Sequence, residues 1–177
     1  NDPDAFSSAV KVLNAKDYIV ARLTGEFVSD PSDASGTNLY DQDSGAWSDE
    51  ILAASELSAS LLPALKPSTE VIGTVRPELS EQTGLPATVQ VVLGGGDGPM
   101  GALGSGIIDR SSGIYSYLGS SSWVSFADEK PLLDPQMRSM TFNHVLPNAF
   151  VPTATMQAGG GSLDWAVSSF LPDSDQR

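Results

Sequence analysis

The residues best suited to chemistry lie in a glycine-rich segment, positions 94–106, which directly follows an apolar run at 88–93. The segment holds one acidic residue, Asp97, with glycine on both sides. A helix N-terminus stabilises a carboxylate anion by roughly 0.3–1 kcal/mol, and an ionised carboxylate can take a proton from an alcohol. Phosphoryl transfer to an alcohol requires such a base, and glycines let substrate and phosphate approach the backbone closely. The pattern therefore admits Asp97 as a general base.

Two other interpretations of this segment compete with the catalytic one. Residues 96–101 match the Gly-x-Gly-x-x-Gly fingerprint of dinucleotide-binding proteins. The next predicted strand, however, ends in Gly119 and Ser120 where that fold has an acidic residue for the ribose. A purely structural role remains open, in which Asp97 only caps a helix. A Walker loop is excluded, since the sequence contains no Gly-Lys-Ser or Gly-Lys-Thr.

The charge balance indicates how this chain would bind phosphate. Nine Lys and Arg residues against 22 Asp and Glu give a net charge of -13, and such a surface repels nucleic acid and anionic lipid. Phosphate must then bind through backbone N–H groups, hydroxyls and a metal ion. The hydroxyl-rich turn at 119–122, Gly-Ser-Ser-Ser, offers such donors.

The sequence offers poor ligands for a tightly held metal. It contains no Cys and a single His, His144, which we interpret as a hydrogen-bonded structural residue. Two acidic pairs, Asp30 with Asp33 and Asp41 with Asp43, have alternating spacing but lack the glycine and terminal Glu of an EF-hand. We predict that they are capping and surface carboxylates.

These candidates must be positioned by an α/β arrangement of helices and short strands. With 177 residues, of which 40% are hydrophobic, the chain can form one sizeable domain or two small ones. No stretch approaches the roughly 20 apolar residues that cross a bilayer. Periodicity and turn residues predict helices over 5–23, 49–60, 77–83, 99–106 and 162–171, strands over 70–75 and 88–93, and hairpins around 119–122 and 147–148. Near 107–112 the pattern changes from strand, glycine turn and helix to alternating apolar and polar residues. This change predicts a domain boundary.

Several ordered segments together resemble a known family. They are residues 16–20 (Lys-Asp-Tyr-Ile-Val), 23–27 (Leu-Thr-Gly-Glu-Phe), 29–37 (Ser-Asp-Pro-Ser-Asp-Ala-Ser-Gly-Thr), 39–41, 47–48, 62–63, 94–97, 101–104, 118–121, 144–147 and 163–165. In this order and spacing they resemble the FGGY carbohydrate kinases, and within that family most closely the xylulokinases. The similarity extends over almost the whole chain.

The resemblance implies an actin/hexokinase-like α/β fold with two ribonuclease-H-like domains and an active site in the cleft between them. Residues 1–108 would be the C-terminal half of the first domain, and residues 109–177 the beginning of the second. The family transfers the γ-phosphoryl group of ATP, with Mg²⁺, to a sugar hydroxyl. The resemblance also implies that the enzyme is cytoplasmic, and it allows a homodimer.

The resemblance assigns roles to five residues. Asp97 matches the catalytic base and, with Gly98, the sugar-contacting position, where xylulokinases commonly have Asn after the aspartate. Gly119, Ser120 and Ser121 match the second phosphate loop, in which Ser120 stands where Thr is usual. No metal-ligating residue is assigned.

The expected reaction converts D-xylulose to D-xylulose 5-phosphate, with ribulose, gluconate or glycerol as the next candidate acceptors. The alternative class is a non-catalytic sugar-binding or actin-like scaffold, which would not need a base at Asp97. The family's first phosphate loop, Asp-x-Gly-Thr, and its adenosine-binding region have no counterpart here. We therefore expect an internal piece of a kinase that is inactive by itself.

Overall fold

The computed structural model describes residues 3–171; the polar tail expected at the C-terminal end lies outside them. Within that range no helix is both long and apolar enough to cross a membrane. The helices are α1 (Pro3–Ser7), α2 (Ala15–Thr24), α3 (Pro31–Ala34), α4 (Asp49–Ala54), α5 (Pro77–Thr83), α6 (Asp97–Gly104) and α7 (Gly160–Phe170).

The strands are short, and their bounds are β1 (Val28–Ser29), β2 (Tyr40–Asp41), β3 (Ala46–Trp47), β4 (Ala64–Leu65), β5 (Val71–Thr74), β6 (Gln90–Val92), β7 (Ile114–Leu118), β8 (Ser122–Phe126), β9 (Met140–Asn143) and β10 (Phe150–Met156). Within residues 3–171 they form one four-stranded sheet and three two-stranded ones. Strand β1 pairs with β4 in parallel, while β2–β3 and β5–β6 are antiparallel pairs. The four-stranded sheet has the antiparallel order β7-β8-β10-β9.

Local sequence signals explain several helix ends. Helix α2 stops at Gly25, whose left-handed φ of 87° lets its N–H donate to Ala21 O. Helix α5 begins with Pro77 and ends at Gly84 in the same conformation. Helix α4 is capped by Ser48, whose hydroxyl accepts from the Ile51 N–H. The helix predicted over 77–83 is therefore confirmed with its bounds.

The prediction of a single helix over 5–23 is wrong. The structure has two helices there, α1 and α2, separated by residues 8–14. In that gap Val12 N donates to Leu61 O at 2.8 Å, and Lys11 Nζ donates to Ser60 O and Leu62 O. These bonds tie the segment to a distant part of the chain, so the backbone leaves the helix. The predicted strand at 88–93 is also less buried than expected, since Val92 is 51% exposed.

Both predicted hairpins are present, and they build the four-stranded sheet. Residues paired directly across antiparallel strands lie on one face. One face carries the aromatic pair Tyr117 and Trp123, whose rings stack with centroids 3.8 Å apart. The opposite face carries Ser116 and Val124.

Two hydrophobic clusters form the interior. The first joins α2 to the small sheets through Val20, Val28, Val75, Val91 and Leu93. The second joins α6 to the four-stranded sheet through Ala102, Ile107, Ala127 and Val151. The glycine turn at 94–96 connects Leu93 of the first cluster to α6, which carries Ala102 of the second. Any group at this turn therefore lies between the two clusters.

Candidate active site

The glycine turn before α6 is shaped by close backbone contacts. Gly94 has a φ of +74°, a left-handed conformation that favours glycine. A Cβ at Gly95 would collide with Val145 Cγ1 and lie 2.7 Å from Ser32 Oγ. A Cβ at Gly96 would lie 3.3 Å from Ser32 O. Gly95 therefore occupies a space that no side chain could share, while Gly94 supplies the left-handed backbone and Gly96 packs tightly.

Asp97 is the first residue of α6, and Gly96 before it occupies the N-cap position. The capping interpretation is therefore wrong in its placement, although Asp97 Oδ1 does accept from Gly98 N at 2.8 Å. The Asp97 side chain is exposed. A carboxylate exposed at the start of a helix can receive a proton from a bound hydroxyl.

Two cavities meet at Asp97 and Gly98, which line both of them. The smaller cavity, of about 210 Å³, is lined by the polar residues Asn14, Asp33 and Thr37 and by the apolar Pro99 and Phe142, among others. The larger one, of about 460 Å³, is lined by Tyr115, Tyr117, Trp123, Thr155 and Gln157, among others. The structure thus places both residues predicted to contact sugar at the junction of two cavities.

A cluster of charged residues lies next to the smaller cavity, which its member Asp33 lines. Lys16 Nζ lies 2.5 Å from Asp17 Oδ1, 3.1 Å from Asp30 Oδ1 and 3.9 Å from Asp33 Oδ2. Burial disfavours the Lys16 ammonium, but its hydrogen bond to Asp17 and the charge of Asp30 outweigh burial and raise its pKa. Burial raises the pKa of Asp33, and the Lys16 charge opposes this rise.

Asp30 caps α3 through the Ser32 N–H, as predicted, but it is fully buried and not a surface carboxylate. The sequence pattern could not show this, because its other partners, Lys16 and Ser68, are distant in the chain. Asp41 accepts from Asp43 N and is half-buried in a turn.

The predicted phosphate loop, Gly119, Ser120 and Ser121, is the turn between β7 and β8. Among residues 3–171 the hydroxyls of Ser120 and Ser121 have no hydrogen-bond partner. Tyr117 and Trp123, which flank this turn, line the larger cavity together with Asp97. The cavity therefore extends from the candidate base to the strands on either side of the loop, whereas Gly119, Ser120 and Ser121 line neither of the two cavities at Asp97.

A second glycine segment, residues 159–161, packs against this loop. Gly160 N donates to Gly119 O at 2.7 Å, and Gly159 N donates to Ser120 O at 2.8 Å. A Cβ at Gly160 would lie 2.6 Å from Gly119 O. The sequence predicts a helix over 162–171 directly after these glycines but no contact with the loop. The run of three glycines was the available signal, but its partner lies about 40 residues earlier.

The remaining candidates have structural roles. His144 is buried, its Nε2 lies 2.9 Å from Ile107 O, and its Nδ1 accepts from Leu146 N. This confirms the structural histidine. Within the part of the chain that the structure describes, no three His, Cys, Asp or Glu side chains are grouped to hold a metal ion.

Comparisons with known proteins agree with this arrangement. Residues 1–104 match the family described as "FGGY family of carbohydrate kinases, N-terminal domain". The chain is 40% identical over 167 residues to the xylulose kinase of Escherichia coli (strain K12), covering 94% of this chain and 34% of that protein.

Solved structures show the same similarity. A xylulose kinase from Brucella ovis superposes with a TM-score of 0.85 at 31% identity, covering 96% of this chain and 35% of that one. A gluconate kinase from Lactobacillus acidophilus gives a TM-score of 0.90 at 25% identity, covering 99% and 35%. The predicted actin/hexokinase-like α/β class is confirmed. The chain spans about a third of the length of these relatives.

Proposed function

The chain belongs to the FGGY family of carbohydrate kinases, and from this premise we propose that its protein transfers a phosphoryl group from ATP to a ketose, D-xylulose, giving D-xylulose 5-phosphate. The observation that carries the proposal is the position of Asp97. Asp97 is the first residue of α6, directly after the tightly packed glycine turn. Its carboxylate is exposed and lies where two cavities meet.

In the proposed mechanism Asp97 acts as the general base. A sugar hydroxyl bound beside it donates its proton to the carboxylate as the oxygen attacks the γ-phosphorus of ATP and the bond to the β-phosphate oxygen breaks. Gly98 contributes space beside the base, because nothing lies within 4 Å of the position that its Cβ would occupy. The sugar can therefore approach the first turn of α6 closely.

We assign Gly119, Ser120 and Ser121 to the phosphates of ATP. The two serine hydroxyls are available as donors, and the chain's net charge of -13 leaves hydroxyl and N–H donors as the suitable phosphate ligands. Mg²⁺ would neutralise charge on the phosphate oxygens. The described residues group no three His, Cys, Asp or Glu side chains that could hold the ion, and we assign no metal ligand among them.

The family relationship supports a sugar kinase more strongly than it supports one sugar. Xylulose is favoured by the 40% identity to the Escherichia coli xylulose kinase. Gluconate is the second candidate, because the gluconate kinase structure superposes with a TM-score of 0.90. The reaction is proposed to be cytoplasmic, and a homodimer stays a prediction.

A substrate panel tests the proposal. The full-length protein would be assayed with Mg-ATP in a coupled assay for ADP release, with xylulose, ribulose, gluconate and glycerol as acceptors. We expect the highest kcat/KM with xylulose. A higher value with gluconate would support the second candidate, and no turnover with any acceptor, together with tight sugar binding, would support the scaffold alternative.

A further inference from the structure

A buried hydrogen-bond relay connects the glycine turn before Asp97 to a carboxylate far away in sequence. The Gly96 N–H donates to Ser32 Oγ at 3.0 Å, and the Ser32 hydroxyl donates to Asp30 Oδ2 at 2.5 Å. Ser32 and Asp30 are 1% and 0% exposed. The relay therefore acts without competition from solvent, where hydrogen bonds to a charged group contribute most.

Asp30 is itself fixed from several directions. Its Oδ2 also accepts from Ser32 N at 3.0 Å and from Ser68 Oγ at 2.6 Å. Its Oδ1 lies 3.1 Å from Lys16 Nζ. The carboxylate can only accept, so the single Ser32 hydroxyl proton points to Asp30 and a lone pair of Ser32 Oγ points to Gly96. The direction of the relay is thus determined.

Gly96 is the N-cap residue of α6, so its N–H precedes the helix and has no partner within it. Ser32 satisfies this buried donor and holds the backbone directly before Asp97. The turn has little freedom on its other side, because Gly95 is pressed against Val145. The exposed side chain of Asp97 is therefore attached to a backbone that is fixed in the interior.

We infer that Ser32 and Asp30 are positioning residues for Asp97, which hold its carboxylate in the geometry that proton transfer needs. The inference rests on the proposed function of Asp97. It predicts that Ser32 affects turnover through geometry and not through sugar or ATP binding. Misplacement of a reacting group by about 1 Å can lower a rate by about a hundredfold.

The test compares two serines that share one acceptor. In the full-length protein, Ser32→Ala removes the link to Gly96, whereas Ser68→Ala removes a similar buried bond to Asp30 and leaves that link intact. We expect Ser32→Ala to lower kcat about 10- to 100-fold with both KM values within about threefold. Ser68→Ala should lower kcat less than about threefold at a comparable fall in Tm.

Two further measurements separate positioning from a general loss of structure. In an Asp97→Asn background Ser32→Ala should lower kcat less than about threefold, because the group that it positions is already changed. Hydrogen exchange of the peptide containing Gly96 should accelerate in Ser32→Ala and not in Ser68→Ala. If Ser32→Ala does not fold, Ser32→Cys, which has a similar shape but a weaker acceptor, should still lower kcat more than Ser68→Ala does.

Equal kcat losses in the two serine variants, or full additivity with Asp97→Asn, would overturn the positioning role. A wild-type protein without kinase activity would instead reject the proposed function. In that case the exchange rates alone decide whether Ser32 orders the turn.

Discussion

Asp97 is exposed, although the residues just before it are wedged between other parts of the chain. Gly95 lies against Val145, and Gly96 is hydrogen-bonded to Ser32. This combination lets the carboxylate reach a substrate while its backbone stays in one place, which general-base catalysis requires. The proposed role of Asp97 therefore depends on packing around the residues that precede it.

Replacing this carboxylate should abolish most turnover without unfolding the protein. In the full-length protein we expect Asp97→Asn to lower kcat by about 10² to 10⁴, the usual effect of losing acid–base catalysis. Because the side chain is exposed, Tm should change little. Steady-state kinetics with xylulose and thermal denaturation measure the two effects.

Asp49 provides the matched control. It is also an exposed aspartate at the first position of a helix, α4, and lines neither cavity at Asp97. Asp49→Asn should leave kcat unchanged within about twofold. Near-normal turnover in Asp97→Asn would return Asp97 to a purely structural role.

Substitution of Gly98 should change the KM for the sugar and not the KM for ATP. The space around its Cβ position is open, so Gly98→Asn can place an amide in the cavities that Gly98 lines. One added hydrogen bond contributes about 0.5–1.5 kcal/mol, so we expect the KM for xylulose to fall about two- to tenfold, with the KM for ATP unchanged.

The control for Gly98 is Gly104→Ala, at the opposite end of α6, where a Cβ also meets open space. It should change the free energy of unfolding by less than about 1 kcal/mol and leave both KM values alone. An altered KM for ATP in Gly98→Asn, with that for xylulose unchanged, would place Gly98 on the nucleotide side.

The position of Asp97 at the start of a helix could be predicted from sequence because its setting is local: an apolar run, three glycines and then a helix. The Ser32–Gly96 bond could not, because its partners are 64 residues apart. The turn at Gly119 could also be predicted, because its signal, the run Gly-Ser-Ser-Ser at 119–122, is local. Its contact with Gly159 and Gly160 depends on how β10 returns beside β8, which no single segment specifies.

At the scale of elements, tertiary contacts explain where sequence periodicity failed. Residues 8–14 have apolar spacing typical of a helix, but Val10 and Val12 are exposed and Val12 N is bonded to Leu61 O. The helices predicted over 77–83 and 162–171 lie close to their predicted bounds. Their ends are marked by Pro, Gly or a glycine run, signals that need no distant partner.

The contact of α2 with α3 depends on Lys16, which neutralises buried carboxylates of both regions. Lys16→Met would leave Asp17 and Asp30, 1% and 0% exposed, without their cation. Removing one partner of a buried ion pair costs about 3–5 kcal/mol, and the partial exposure of Lys16 places the expected loss near the lower value, about 3 kcal/mol. Urea denaturation of the full-length variant measures it.

The stability lost in Lys16→Met should depend on pH. The pKa of Asp33 sets the direction of that dependence. The pKa of Asp33 is raised above 3.8 by burial, and the Lys16 charge lowers it; without Lys16 it rises further. A carboxyl with a raised folded-state pKa stabilises the fold below 3.8, and that contribution is lost as pH rises through the folded value. The deficit of Lys16→Met should therefore be smaller near pH 4 than at about pH 7.

Lys66→Met is the matched control, because Lys66 pairs with Glu70 at 2.5 Å with both side chains exposed to solvent. An exposed pair contributes about 0–1 kcal/mol, so this variant should lose far less stability. Equal losses in the two lysine variants, or a Lys16→Met deficit independent of pH, would contradict the role assigned to the buried cluster.

At the scale of the whole molecule, residues 3–171 cover only one face of the four-stranded sheet. The aromatic face turns towards α6, while the opposite face exposes large apolar side chains. The exposed fractions on that face are 70% for Ile114, 76% for Leu118, 44% for Val124 and 61% for Met156. Such a patch drives association in water.

We therefore predict that the 177-residue chain alone self-associates and neither phosphorylates xylulose nor binds ATP tightly. Phosphoryl transfer depends on positioning and charge stabilisation around the β- and γ-phosphates. The chain spans about a third of its relatives' length and contributes one candidate phosphate loop, so most of that stabilisation has to come from the rest of the protein. Light scattering, calorimetric titration with Mg-ATP and the coupled assay test the three parts.

The full-length protein is the positive control for ATP binding and turnover, and a variant of the chain tests the cause of association. Val124→Thr with Met156→Gln makes the exposed face more polar while leaving the aromatic face unchanged, so it should shift the chain towards monomer. A monomeric unaltered chain would show that the exposed face does not drive association. Tight ATP binding or measurable turnover by the chain alone would show that the phosphate-binding machinery is already complete within these residues.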